Sequence, residues 1–135
     1  KWGEERGYDL GLISNDYYAR GRAIRVAVGR HPGRLSKILE ALAAVNAFTG
    51  SSLADELNSV LTGGLPMGTT VVVIAALMSE DLADALLKLV NNRHQVYVLK
   101  TSSYKWHENL GSIPVIDISR SVNSINVEKD TVKTL

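Results

Sequence analysis

Two hydrophobic periods alternate along the chain. YDLGLIS (8–14) and AIRVAVG (23–29) place apolar residues at every second position, with Ile24, Val26 and Val28 on one face; this alternation is the mark of half-buried strands. Between them NDYYARGR (15–22) is rich in turn formers. The pair predicts a β-hairpin whose loop is longer than the tightest type. HPG (31–33) breaks the pattern, and Leu35, Ile38, Leu39, Leu42 and Val45 then recur at helical spacing. An amphipathic helix over 33–47 follows. FTGSS (48–52) reads as a loop in which Ser51 or Ser52 caps a second helix. That helix carries Leu53, Leu57, Val60 and Leu61 and is stopped by TGG at 62–64.

TTVVVIAAL (69–77) does not alternate and is almost wholly apolar, as expected of a strand covered on both faces of a parallel sheet. Ser79 caps a helix that buries Leu82, Ala85, Leu86 and Leu89, and QVYVLKT (95–101) is the next strand. SYKWHENLGS (103–112) reads as a loop or short helix. IPVIDIS (113–119) is a last strand that Pro114 places at an edge. The polar stretch 120–135 is a tail, mobile or docked as a helix or strand. The predicted order is β-β-α-α-β-α-β-(α)-β. Strand–helix–strand units pair in parallel with right-handed crossovers. The expected class is therefore α/β, a three-layer, Rossmann-like, mostly parallel sheet with an N-terminal antiparallel hairpin.

Composition narrows the chemistry more than the fold. The 135 residues, 45% hydrophobic and 21% charged, suffice for one packed domain. A net charge of +1 gives no whole-chain field directed at nucleic acid or an acidic membrane. There is no cysteine, which excludes disulfides, thiol catalysis and cysteine-bound metal, and favours a reducing, cytoplasmic setting. No apolar run reaches the ~18 residues of a membrane helix, and no signal peptide is visible. A start at KWGEERGYDL without Met reads as a fragment or a processed chain.

The candidate functional groups are few. His31, His94 and His107 share no metal-ligand spacing, and His94 sits at a helix-to-strand turn where the helix dipole favours it. GRHPGRLSK (29–37) lacks the spacing of a phosphate loop. Arg25, Arg30 and Arg34 lie along the hairpin and helix start, where they could hold a phosphate or an acidic partner; a solvated edge guarded by charge is the plainer reading. No Gly-x-Ser-x-Gly elbow is present. The carboxylate pairs Glu4/Glu5, Asp55/Glu56 and Glu80/Asp81 are explained by helix ends or exposed faces. Tyr17, Tyr18, Tyr104 and Trp106 fall in predicted loops, as interface anchors or as lids over the core. Thr49, Ser51 and Ser52 are hydroxyls before a helix, the kind that ligate magnesium beside a carboxylate or simply cap the helix.

YDLGLISN, the hairpin, RLSKILEALAAV, GTTVVVIAALMSEDLADALLKLVNNRHQVYVL and IPVIDIS, in that order, resemble the C-terminal half of the bacterial "domain of unknown function 58" family over residues 1–119. The resemblance implies a von Willebrand factor A-like domain and protein–protein interaction, often alongside MoxR-type AAA+ ATPases and with membrane helices far upstream. It also implies a divalent-ion site built from an Asp-x-Ser-x-Ser after the first strand, a later Thr and an Asp after the fourth strand. On this chain the Asp-x-Ser-x-Ser would precede Lys1, the Thr position falls near Thr49–Ser52, and the Asp position falls at Ala75 or Ala76. Alanine ligates nothing. The expectation is a degenerate site, no metal or cofactor held by this chain, and magnesium only with the upstream strand present. That first strand would lie centrally, so its absence predicts a rearranged sheet or a homodimer that hides the open edge.

These readings converge on a non-enzymatic, protein-binding module with no nucleic-acid or membrane contact of its own. Its binding residues are expected on the loops at 14–22, 48–52 and 75–80, with Asn15, Asp16, Thr49, Ser51 and Ser52 as the polar groups. The alternative is a small Rossmann-like nucleotide- or phosphate-binding enzyme using Arg25, Arg30 and Arg34, against which the missing glycine-rich fingerprint counts. A nucleic-acid binder has only this local basic charge in its favour.

Overall fold

The computed structural model describes residues 1–17, 23–45 and 51–125, with the side chains of residues 16, 17 and 23 left aside. The order is α1 (Trp2–Glu5), β1 (Leu10–Tyr17), β2 (Ala23–Gly29), α2 (Arg34–Ala43), α3 (Leu53–Thr62), β3 (Thr70–Ala75), α4 (Glu80–Asn91), β4 (Gln95–Lys100) and β5 (Val115–Asp117). The class is α/β. The chain divides into two compact units, Lys1–Ser59 and Val60–Leu135.

In the first unit β1 and β2 form a two-stranded antiparallel sheet, with Leu12 opposite Val26 and Ile13 opposite Arg25. The ladder is irregular between Leu10 and Leu12. A Cβ on Gly11 would stand 2.9 Å from the Val26 carbonyl oxygen and 3.0 Å from Val28 Cγ2, so the strand needs glycine there for close approach. β1 runs on through Asn15 to Tyr17, beyond the strand end expected at residue 14; alternation weakens there, but the ladder to β2 continues. α2 packs on this hairpin and buries Ala41. Of its predicted apolar stripe, Leu39 and Leu42 stay exposed. Ile24 is wholly buried, and Ala54 and Leu57 of α3 are buried as well.

The second unit is a three-stranded parallel sheet in the order β3-β4-β5, with α4 packed on β4. Val71 pairs with Val96, Val73 with Val98, and Val98 with Val115. α4 begins as its sequence demands: Ser79 Oγ accepts from the Leu82 N–H at 3.1 Å, a side-chain N-cap. Leu82, Ala85, Leu86 and Leu89 are all buried, as their spacing predicts. The helix ends in a Schellman motif: the His94 N–H reaches the Leu89 carbonyl at 3.1 Å and the Arg93 N–H reaches Val90 at 3.0 Å. Arg93 takes the left-handed conformation, φ 66°. β5 follows Pro114 and lies at an edge. Residues 119–125 are helical, so the first part of the expected tail has a defined form; 126–135 fall outside the described residues.

Two expectations are corrected. The hairpin is not part of one mostly parallel sheet; among the described residues it forms a two-stranded sheet separate from the parallel one. β3 is also not covered on both faces. Val73 and Ala75 are buried, but Val72 and Ile74 are 55% and 64% exposed. An unbroken apolar run thus stands for a strand with one packed face and one bare apolar face, a difference that composition cannot register.

Candidate functional site

In the first unit a chain of polar groups links β1, β2 and α3. Asn15 and Ser51 bond reciprocally: the Ser51 N–H reaches the Asn15 carbonyl at 3.2 Å, and Asn15 Nδ2 the Ser51 carbonyl at 3.4 Å. Ser51 Oγ donates to Glu56 Oε1 at 2.8 Å. The other Glu56 oxygen accepts from Arg25, from Nη2 at 2.6 Å and Nε at 3.3 Å, a two-pronged charge-assisted contact. Glu56 is buried while the Arg25 side chain is 39% exposed. Burial pushes the Glu56 carboxyl up. The hydrogen bonds from Arg25 and Ser51, with the Arg25 charge, outweigh it and hold the carboxyl below its ordinary range. Ser52 accepts from the Asp55 N–H at 3.0 Å and so caps the helix, the plainer of its two roles.

Of the predicted binding residues, Asn15 and Ser51 come together and Ser52 stands beside them. The Asp16 side chain and Thr49 lie outside what is described. Glu56 was set aside in the sequence as a solvated helix-end carboxylate, and that is corrected: it is 6% exposed. A signal existed. Leu53, Glu56, Leu57 and Val60 share the i, i+3, i+4, i+7 stripe, and a carboxylate on an apolar stripe needs a partner.

Arg25, Arg30 and Arg34 do not converge on one ligand. Arg25 is held by Glu56. Arg30 donates to the Gly7 carbonyl at 2.6 Å and lies 3.7 Å from the Asp9 carboxylate. Arg34 lines a cavity of about 500 Å³ with Arg25, Val26, Ala27, Lys37, Glu40 and Ala41. Its Nε is buried and has no hydrogen-bond partner among the described residues.

In the second unit the end of β3 is covered. The Ala76 carbonyl accepts from Ser102 Oγ and from Trp106 Nε1, the latter at 3.3 Å. Lys100 Nζ sits 5.3 Å from the Trp106 ring, a cation–π contact. Trp106 is thus tied down over the strand end, and Tyr104 stays 68% exposed. His94 is buried at the turn into β4, and its Nδ1 has no hydrogen-bond partner among the described residues. A groove of about 530 Å³ beside α4 is lined by Glu80, Asp84, His107 and Glu108. Among the described residues no three His, Asp or Glu side chains are placed to hold a metal ion. Of the positions that the resemblance assigns to a divalent-ion site, Ala75 and Ala76 bring no donor and the Ser51 hydroxyl donates to Glu56, while Thr49 lies outside the described residues.

The fold and these groups define an α/β protein with a buried Glu56 carboxylate paired to a part-exposed Arg25 in one unit and a parallel sheet with an exposed apolar face in the other. Compared with protein-family models, curated proteins and solved structures, the chain matches none. No helix among the described residues is long and apolar enough to cross a membrane.

Proposed function

We propose that this chain is a non-enzymatic protein-interaction module, of the von Willebrand A-like kind its phrases resemble, and that β3 is its docking strand. The observation carrying this reading is the unguarded state of β3. Gln95 N–H bonds to the Thr69 carbonyl and Thr101 N–H to the Ala75 carbonyl. In a parallel ladder the backbone groups of Thr70, Val72 and Ile74 then point away from β4, where no strand lies among the described residues. Natural edges are guarded by lysine, proline or bulges; TVVVIA carries no charge and no proline. The bare face continues across the sheet. Val72 lies beside Tyr97, and Ile74 beside Leu99, which in turn lies beside Ile116, with Val72, Ile74, Tyr97 and Ile116 all exposed. Contiguous apolar surface of this sort belongs to partner contacts.

A strand added at this edge supplies main-chain affinity, and the apolar face supplies burial. The occupant is a second copy across a two-fold axis or a protein partner, for which the resemblance supplies a MoxR-type AAA+ ATPase.

Light scattering coupled to size exclusion tests it. The wild-type chain should self-associate or bind the ATPase. Ile74→Lys, which places a charge on the bare face without touching the packed one, should abolish the association while keeping the far-UV circular dichroism. A wild-type chain that stays monomeric at high concentration, and binds the ATPase no differently from Ile74→Lys, overturns the proposal.

A further inference from the structure

The Arg34 cavity lies wholly in the first unit, an open space between β2 and α2. Its walls bring three cations, Arg25, Arg34 and Lys37, against one carboxylate, Glu40. Arg25 is already neutralised by Glu56. Among the described residues neither Arg34 nor Lys37 has an ion-pair partner, so the cavity keeps uncompensated positive charge.

Arg34 is placed by the backbone beneath it. A Cβ on Gly29 would overlap the Arg34 guanidinium, so the absence of a side chain there makes room for the planar head. Arg34 Nε is shielded from water and has no acceptor among the described residues, so the Nη groups are the part of the guanidinium left to a ligand. At about 500 Å³ the space is of the size that takes a small molecule.

We infer that this cavity binds a phosphate monoester group, held by the Arg34 guanidinium fork and the Lys37 ammonium. A tetrahedral dianion matches both features on the page. Its oxygens accept two parallel N–H bonds from the Nη groups of one guanidinium, and its second charge is met by the point charge of lysine. Arg25 contributes a wall and no free charge. Arg30 is turned to Gly7 and Asp9 and takes no part. The inference stands apart from the docking strand and survives its failure.

Titration of the whole chain with inorganic phosphate, followed by calorimetry or backbone amide shifts at constant ionic strength, tests the site. Saturable binding is expected, with shifts centred on residues 25–41. Arg34→Gln and Lys37→Gln should each weaken it by about tenfold. Arg34→Lys, which keeps charge and loses the fork, should weaken it measurably. Arg30→Gln should leave it unchanged. Gly29→Ala should weaken binding by displacing the guanidinium, with circular dichroism checking the fold; Arg34→Gln and Lys37→Gln keep the test valid if Gly29→Ala does not fold. Parallel titrations with phosphoserine and with AMP separate a phosphorylated side chain from a nucleotide as the source of the group. No saturable binding, equal weakening by Arg30→Gln, or equal binding of chloride overturns the inference.

Discussion

Replacing Glu56 probes the most concentrated piece of chemistry in the first unit. Its carboxylate accepts from Arg25 and from Ser51 and is 6% exposed. Hydrogen bonds to a charged group contribute roughly 1.5–3 kcal/mol each. Two of them would approach 5 kcal/mol if both donors were stranded. Arg25, however, is 39% exposed and regains water when its partner is lost, so its share is discounted. Glu56→Ala should therefore cost about 2–3 kcal/mol at neutral pH. Glu56→Gln, which keeps the shape but opposes an amide N–H to one donor, should cost about 1–2 kcal/mol. The pH dependence follows from a carboxyl held below its ordinary value of 4.5. The folded state releases that proton more readily than the unfolded chain. The contribution is complete above the ordinary value and is lost as pH falls through the lower folded value. Urea titrations of the wild type, Arg25→Gln, Glu56→Gln and the double variant, at neutral pH and at mildly acidic steps, measure both effects. A coupling of about 1–2 kcal/mol at neutral pH, shrinking on acidification, is expected. Strictly additive single variants, or a coupling that grows as Glu56 is protonated, would refute the reasoning.

Other tests address the frame. Leu86 is fully buried in the second unit, so Leu86→Ala should lose about 2–5 kcal/mol by urea titration. Ser79→Ala removes the cap on the Leu82 N–H and should cost about 1 kcal/mol in the same assay. Arg93 carries φ 66° at the end of α4. Arg93→Gly relieves the left-handed strain against a smaller entropic loss and should raise stability by about 0.5–1 kcal/mol, read as a higher thermal midpoint. Gly11→Val drives a side chain toward the Val26 carbonyl and Val28 and should destabilise the hairpin by about 1–3 kcal/mol, visible as faster amide exchange in β1 and β2.

Local signals were easy to read because neighbours along the chain generate them. The Ser79 cap, the buried stripe of α4 and the edge position after Pro114 each depend on residues a few places apart. Ser52 as a helix cap belongs to the same group. Asn15 and Ser51 were singled out as exposed loop ligands, and they do meet, but inside a network that locks β1 to the start of α3. Glu56 was missed because a carboxylate next to Asp55 looks like an ordinary first-turn acid. Only its place beside Leu53 and Leu57 on one stripe betrays burial, and only Arg25, 31 residues away in sequence, explains it. The three arginines looked like one patch because they are close in sequence; strand pairing and helix entry send them to Glu56, to Asp9 and Gly7, and into the cavity.

The amino-acid order by itself determined the elements, their approximate limits and the α/β class, since period and capping are properties of a segment. Tertiary structure alone decided which face of each element found a partner. TTVVVIAAL reads the same whether one face of its strand is covered or two, because hydrophobicity records the cost of exposure and not whether that exposure is relieved. The separation of the hairpin from the parallel sheet, the bare side of Val72 and Ile74, the burial of Glu56 and the seat of Arg34 over Gly29 all depend on contacts between distant segments. No local pattern encodes those contacts, and they carry both the proposed docking strand and the proposed phosphate site.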